Sequence, residues 1–308
     1  MIYTLTFSPS IDYLVFLRNE FEAGRINRMV KDAIYYGGKG VNVSQVLWGL
    51  SVENTALGFV AGFTGKEIEA GLNRLGCKTD FVHLKNGHSR INIKLKTSLE
   101  SEINAVGPTV DSQACEELYK KIEAIGEDDI LVVAGAVPDN FPKNFLPYVI
   151  EHLQSLSTKF IIDTGGDALL EILPYHPFLI KPNHTELCAL FNEDYNPSDI
   201  KGLTGAAKHL QEKGARNVMI SLGAEGAVLV TEDGQVYSRQ APGGNVVNSV
   251  GSGDSMVAGF TAGCITTGDY AKALRLGAAC GNATAFSEGL AEKEDIERIY
   301  ELLDISKS

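Results

Sequence analysis

A chain of 308 residues, 44% of them hydrophobic, is long enough to bury a large core, and an α/β sheet of this size folds readily as one unit. The formal charge of -12 at pH 7 sets the whole-molecule field against polyanions, which excludes nucleic acid and anionic membranes as expected partners. Five scattered cysteines (Cys77, Cys115, Cys188, Cys264 and Cys280) form no CxxC pair, so neither a disulfide framework nor a zinc site is expected, and a reduced cytosol fits best.

The run Met1–Phe7 reads as a short strand without the basic start and long apolar stretch of a signal peptide, and a cytoplasmic location is expected. No segment reaches the roughly 18 apolar residues of a membrane helix. Residues 12–36 lack helical period. Tyr36-Gly-Gly-Lys-Gly-Val-Asn42 is a glycine-rich turn that holds a cation and an amide. It opens a helix with Val43, Val46, Leu47 and Leu50 on one face.

Residues 88–104 again show no helical period. Arg90, Asn92, Lys94 and Lys96 alternate there with Ile91, Ile93 and Leu95, which puts polar groups on one strand face and aliphatics on the other. One wet face predicts a small antiparallel sheet outside the parallel core, so 12–36 and 88–104 are read as a lid. On strand polarity alone, Glu102 and Asn104 are solvated residues.

From about residue 128, strand and helix alternate. Ile130–Ala134 is an apolar run suited to a strand buried on both faces. A helix with Phe145, Val149, Leu153 and Leu156 on one face follows, then strands Phe160–Ile162 and Phe178–Ile180, a helix carrying Leu203, Ala206, Ala207 and Leu210, and strand Asn217–Leu222. Asp163-Thr-Gly-Gly-Asp167 reads as a turn, its aspartates as turn-formers. Glu292–Glu301 reads as a solvated amphipathic helix. The alternation predicts one α/β domain over 1–308 with a mostly parallel sheet covered on both faces.

Three segments of this half carry chemistry. Lys181-Pro-Asn-His-Thr-Glu186 follows a buried strand, and Asn183 and Glu186 lie three apart on an incipient helix, suited equally to capping and to holding a hard cation near phosphates. Ser221-Leu-Gly-Ala-Glu-Gly226 is a strand-to-hairpin turn. Val246–Ser255 places Gly251 and Gly253 before an amphipathic helix, with Asp254 in its first turn. A helix N-terminus can hold a phosphoryl group, and a carboxylate beside it can either cap the helix or accept a proton from an attacking hydroxyl.

Gly-Gly-Lys-Gly-x-Asn near the start and Val-Gly-Ser-Gly-Asp-Ser near the end, with the two turns between them, resemble the phosphofructokinase-B branch of the ribokinase-like sugar kinases from the first strand to about Glu288. That resemblance implies a three-layer fold, a mostly parallel central sheet flanked by helices, and a small β-sheet lid. It implies an enzyme that uses ATP and Mg²⁺, with Asp254 as base and the amides of Gly251, Ser252 and Gly253 as anion hole. Asp12, Gly38 and Asn42 would grip sugar hydroxyls. Lys39, Arg90, Arg25 and Ser89 would hold the resident phosphate, with Asn92, Glu102 and Asn104 beside them on the lid. Lys181, Asn183, Ser221, Gly223, Gly226, Asn248, Val250, Ala278 and Asn282 would line the nucleotide, and Asn183 and Glu186 would hold Mg²⁺ through water.

The segments 89–97, Phe59–Gly65 and Ala283–Glu288 look most like members acting on the 6-hydroxyl of fructose 1-phosphate. A tagatose-6-phosphate kinase is the alternative within the class, and a non-catalytic sugar-phosphate-binding regulator the alternative outside it. The family's Asn-Pro-Ser is here Ser8-Pro9-Ser10, and its Ser-Gly-Ser is Ala134-Gly135-Ala136, which lacks a substrate hydroxyl. A homodimer joined through lid strands is implied as well.

Overall fold

The computed structural model describes every residue except 98–100, 139–140, 143–144, 156–157, 304–305 and 308. The first half runs β1 (Ile2–Thr6), β2 (Ser10–Leu17), β3 (Met29–Gly37), α1 (Lys39–Gly49), β4 (Asn54–Ala61), α2 (Gly62–Arg74), β5 (Lys78–Thr79), β6 (Val82–Leu84), β7 (Arg90–Lys96), β8 (Ser101–Ile103) and α3 (Ser112–Ile122). The next stretch is β9 (Ile130–Ala134), α4 (Phe145–Ser155), β10 (Lys159–Asp163), α5 (Asp167–Ile172), β11 (Leu179–Ile180), α6 (His184–Phe191) and α7 (Ile200–Glu212). The chain closes with β12 (Asn217–Ser221), β13 (Ala227–Val230), β14 (Val236–Arg239), α8 (Ser252–Thr267), α9 (Tyr270–Ala285), α10 (Lys293–Leu302) and β15 (Ser306–Lys307). Leu156, assigned above to a helix face, lies outside the described residues.

The main sheet has eleven strands in the order β15-β14-β13-β12-β11-β10-β9-β1-β4-β5, with β6 also paired to β4. From β12 to β5 every pairing is parallel, and β12 to β15 are joined antiparallel. Both faces are covered. On β9, Leu131 and Val133 enter a core with Leu118, Phe145, Val149 and Leu210, while Ile130, Val132 and Ala134 enter another with Val43, Leu47, Val257 and Phe260. This is why β9 reads as an unbroken apolar run: each alternate residue meets a different helical layer. The helix predicted at the C-terminus is α10, and it seats Ile296 and Ile299 in the second core.

A separate four-stranded sheet has the order β3-β2-β7-β8 and coincides with the two segments read as a lid. It differs from expectation in two ways. Strands β2 and β7 pair parallel, so the sheet is mixed rather than antiparallel. They follow β1 and β6, the strands that flank β4, and run side by side. The polar face is also the sheltered one. Asn92 and Lys94 are 5% and 9% exposed, whereas Ile91 is 42% exposed. Strict alternation fixes that two faces differ but not which of them looks inward.

Candidate active site

The parallel strands end along one edge of the main sheet, and the chemistry gathers there. Asp163, the last residue of β10, is 1% exposed. Lys181, just past β11, brings Nζ to 3.3 Å from its Oδ1, and Lys39, the first residue of α1, brings Nζ to 3.5 Å from its Oδ2. Asp254 arrives on the first turn of α8. Asn42, one turn into α1, donates from Nδ2 to Asp254 Oδ2 at 2.7 Å. The N-terminal turns of α1 and α8 thus meet over the strand ends.

Backbone geometry explains the glycines. Gly251 caps α8 with φ +79, in the left-handed region where a side chain is strained, and a Cβ there would lie 2.8 Å from Leu290 Cδ2. A Cβ on Gly253 would lie 3.1 Å from Lys181 Nζ, so the bare turn is what lets the lysine approach. The Ser252 amide donates to the Ser249 carbonyl at 3.3 Å, while the next amides of the sixteen-residue α8 lack intrahelical partners, as helix starts do, which suits the turn to an anion.

Burial pushes the Asp254 carboxyl up to about 6; the negative charge of Asp163 adds to the shift, and the Asn42 hydrogen bond with Lys39 and Lys181 restrains it. A carboxylate so placed is ionised at neutral pH yet basic enough to take a proton. Burial acts to lower Lys39, but Asp163, Asp254 and Glu186 together outweigh it, and the ammonium is held above its usual range.

The acceptor side opens from here into a cleft of about 490 Å³ lined by Asp12, Tyr35, Asn42, Lys94 and Asn248 among others. Asp12 Oδ1 accepts from Ser10 Oγ at 2.8 Å and Asn92 Nδ2 at 2.9 Å, which orients the carboxylate. A Cβ on Gly37 would collide with its Oδ2. Gly38 caps α1 with φ +110. Arg90 donates from Nη2 to the Ser8 carbonyl at 2.8 Å, while its Nε is buried without a partner. Burial lowers its pKa against the pull of Asp12. The Ser89 hydroxyl accepts from the Ala61 amide at 2.9 Å and is 3% exposed. Glu102 pairs with Lys94 at 2.7 Å, and Asn104 donates to Glu102 at 3.4 Å.

Not every expected residue is brought together. Lys39, assigned to the resident phosphate, sits instead beside Asp163 and Asp254. Arg25 lies exposed in the loop between β2 and β3, beyond the Leu17–Met29 pair. Leu17 lies five positions along β2 from Asp12, about 17 Å, and within one chain Arg25 does not line the cleft.

On the nucleotide side, Asn183 forms a bridge with Ser221 at the ends of β11 and β12. Gly223 lies in the following turn, and a Cβ on Gly226 would collide with the Arg239 carbonyl. Asn248 donates to the Glu288 carbonyl at 3.0 Å and accepts from the Val250 amide at 3.2 Å. Val246, Val247 and Val250 form an exposed apolar strip beside it. Asn282 donates to the Ala278 carbonyl at 2.8 Å, and Ala278 is 1% exposed, which leaves it little surface to offer.

Asn183 and Glu186 make a reciprocal capping box on α6: the Glu186 amide donates to Asn183 Oδ1, and the Asn183 amide to Glu186 Oε2, both at 2.8 Å. Capping occupies one Glu186 oxygen and leaves Oε1, which lies 3.2 Å from the place of a Cβ on Gly165. Among the described residues, no three His, Cys, Asp or Glu side chains gather as a metal cage.

Asp163 was missed as a site residue, although a carboxylate directly after the apolar run Phe160–Ile162 was visible in the sequence. Its Oδ2 has the Lys39 ammonium at 3.5 Å and no closer hydrogen bond, and the neighbouring Thr164 Oγ1 is buried without a hydrogen-bond partner.

A buried carboxylate at the mouth of a long helix, two lysines around a second carboxylate, and a cleft at the strand ends of an open α/β sheet define a site of the sugar-kinase class. The pattern of the pfkB family carbohydrate kinases matches residues 5–297, and the chain belongs to that family. It is 39% identical over 307 residues to a 1-phosphofructokinase of Bacillus subtilis (strain 168), with 100% of both chains covered. It is 35% identical to a D-tagatose-1-phosphate kinase of Bacillus licheniformis, with 99% of each covered. The phosphofructokinase-2 from Escherichia coli solved in complex with substrates and products matches with a TM-score of 0.91 at 27% identity, over 98% of each chain. The protein is therefore a carbohydrate kinase that takes its phosphoryl group from ATP.

Proposed function

We propose that the protein phosphorylates fructose 1-phosphate at its 6-hydroxyl, giving the 1,6-bisphosphate and ADP. The full-length likeness to a 1-phosphofructokinase supports the substrate. The observation that carries the chemistry is Asp254, buried on the first turn of α8 and hydrogen bonded to Asn42.

Asp254 takes the proton as the 6-hydroxyl attacks. The amides of Gly251, Ser252 and Gly253 face the charge that develops on the migrating phosphoryl group, and Lys39 and Lys181 add positive charge beside them. Asp12, oriented by Ser10 and Asn92, holds ring hydroxyls with Gly38 and Asn42. Arg90 and Ser89 stand at the resident phosphate. Ser221, Gly223 and Gly226 flank the nucleotide phosphates, and Asn248, Val250 and Asn282 its ribose and base.

The donor set fits Mg²⁺, a hard cation that keeps most of its waters. The free Glu186 oxygen would hold it through water and Asp163 Oδ2 lies within the same cluster, while Asn183 positions Glu186. When bound, the ion would shield the phosphate charges. The second sheet acts as a lid that excludes water. Its outer face carries exposed Ile34, Ile91 and Ile103, an apolar surface that a second copy would cover in a cytoplasmic homodimer.

The test is coupled ADP release with fructose 1-phosphate, tagatose 6-phosphate and tagatose 1-phosphate, the last because of the B. licheniformis relative. The highest kcat/KM is expected for fructose 1-phosphate. Preference for either tagatose phosphate would overturn the substrate, and turnover of none would overturn the function.

A further inference from the structure

None of the roles above uses the connection between α9 and α10, yet it touches both halves of the cleft. From the lid, Lys31 on β3 donates from Nζ to Glu288 Oε2 at 2.9 Å and Oε1 at 3.1 Å, across 257 positions of chain. Tyr35, opposite Asp12 in the β2–β3 register, lies against the next residue. A Cβ on Gly289 would come within 2.8 Å of its ring. The Gly289 backbone is outside the left-handed region, so the close approach of that ring is what calls for glycine there.

From the other side, the same segment holds the turn before α8. The Glu288 carbonyl accepts from Asn248 Nδ2 at 3.0 Å, and Leu290 Cδ2 lies 2.8 Å from the place of a Cβ on Gly251. The Ala291 amide donates to Thr284 Oγ1 at 3.1 Å, and that hydroxyl shares a 2.9 Å hydrogen bond with Ser255, the neighbour of Asp254. Residues 288–291 thus form a strap between the lid and the anion turn. Glu288 serves both, its carboxylate the one and its carbonyl the other.

The Lys31 and Glu288 side chains are 52% and 61% exposed, and such a pair contributes little to stability. Its leverage comes from its place on the lid. Lys31 lies six positions from Gly37, where β3 runs into α1, so the strap grips the lid about 20 Å from that junction. The Asp12–Tyr35 pair falls between the two attachments. A lid anchored on both sides of Asp12 holds that carboxylate in a set relation to Asp254.

We infer that the strap 288–291 couples the two substrate sites, with Lys31 and Glu288 as its positioning pair. Sugar phosphate held by Asp12 steadies the lid, and the lid steadies the strap through Glu288 and Gly289. The strap in turn steadies residues 248–251, which receive the nucleotide. The ordering cost falls on whichever ligand binds first, so each tightens the other by the same factor. This rests on the sugar-kinase reading of the cleft, with the sugar under the lid and the nucleotide at the turn.

Calorimetry with a non-hydrolysable ATP analogue, alone and with saturating fructose 1-phosphate, measures the coupling. In the wild-type enzyme the sugar phosphate should tighten analogue binding about tenfold. Glu288→Lys keeps the carbonyl that holds Asn248 but sets like charges face to face. Analogue binding alone should stay within about twofold of wild type, while the gain from sugar phosphate shrinks roughly fivefold. KM for fructose 1-phosphate should rise by about the same factor, with kcat at saturation of both substrates within about twofold. Adding Lys31→Glu restores the opposite charges and should restore the gain. A pair that serves structure alone changes analogue binding equally with and without sugar phosphate, and that result would overturn the inference. A charge swap that fails to rescue, or a wild-type enzyme in which neither ligand tightens the other, would overturn it too. Turnover of no sugar phosphate by the wild type removes the function and the inference together, whereas normal turnover with unchanged coupling in Glu288→Lys removes the inference alone.

Discussion

Replacing Asp254 with Asn should slow turnover sharply and yet stabilise the fold. Burial and the charge of Asp163 raise this carboxyl from 3.8 to about 6. At neutral pH the folded protein therefore holds an ionised group that its surroundings resist, at a cost on the order of 3 kcal/mol. The sign follows from proton binding. Below pH 4 the group is protonated in folded and unfolded chains alike, and there is no cost. Between about 4 and 6 only the unfolded chain ionises freely, so stability falls as pH rises, and above 6 the full cost is present. Asparagine carries no such charge, and its side-chain oxygen can still accept from Asn42. Thermal melts should show the variant roughly 5 °C above wild type at pH 7.5, with the gap closing towards pH 4. ADP release should fall about 10²- to 10⁴-fold, and the decline of wild-type activity as pH drops through about 6 should have no counterpart in the variant. Wild-type turnover by the variant, or a melting advantage independent of pH, would refute the assignment of Asp254 as a buried ionised base.

Three further outcomes are expected. Glu186→Gln preserves the capping box, which accepts Gln as well as Glu, so its melting temperature should stay within about 1 °C of wild type. Titration of activity with Mg²⁺ should nonetheless show the half-saturating concentration raised about tenfold, and an unchanged value would leave Glu186 as a cap alone. Asp163→Asn strips Lys39 and the buried Lys181 of their shared carboxylate and should destabilise the protein by about 3–5 kcal/mol in urea melts. It should also move the acidic decline in activity below 6, since Asp254 loses a repelling neighbour. Ile34→Glu on the outer face of the second sheet should halve the mass seen by light scattering if that face joins two copies, and a wild-type monomer would remove the proposal altogether.

Much of the fold was legible because its signals are local. The apolar run of β9, the helical spacing on α1 and α7, and the glycine turns before α1 and α8 each encode an element within about ten residues. The family motifs put Asp254, Asn42, Lys181 and Glu186 in view for the same reason, since glycines and their neighbours announce a turn wherever they fall. Strand alternation over 90–96 likewise announced a two-faced strand. It left open which face would be sheltered, and whether β7 would run parallel to β2.

Local sequence therefore sets the elements and the residue types at their ends. Which charges meet is set by the packing of distant segments. Asn42 reaches Asp254 across 212 residues of chain, and Asp163 acquires its two lysines because β10, β11 and the start of α1 end at one edge of the sheet. An aspartate in a turn-like pentapeptide becomes part of the site by that convergence, while Arg25, a cation of the right kind, is carried away by the length of its hairpin. Periodicity and turn chemistry act over a few residues, whereas burial and charge pairing depend on how distant strands are ordered.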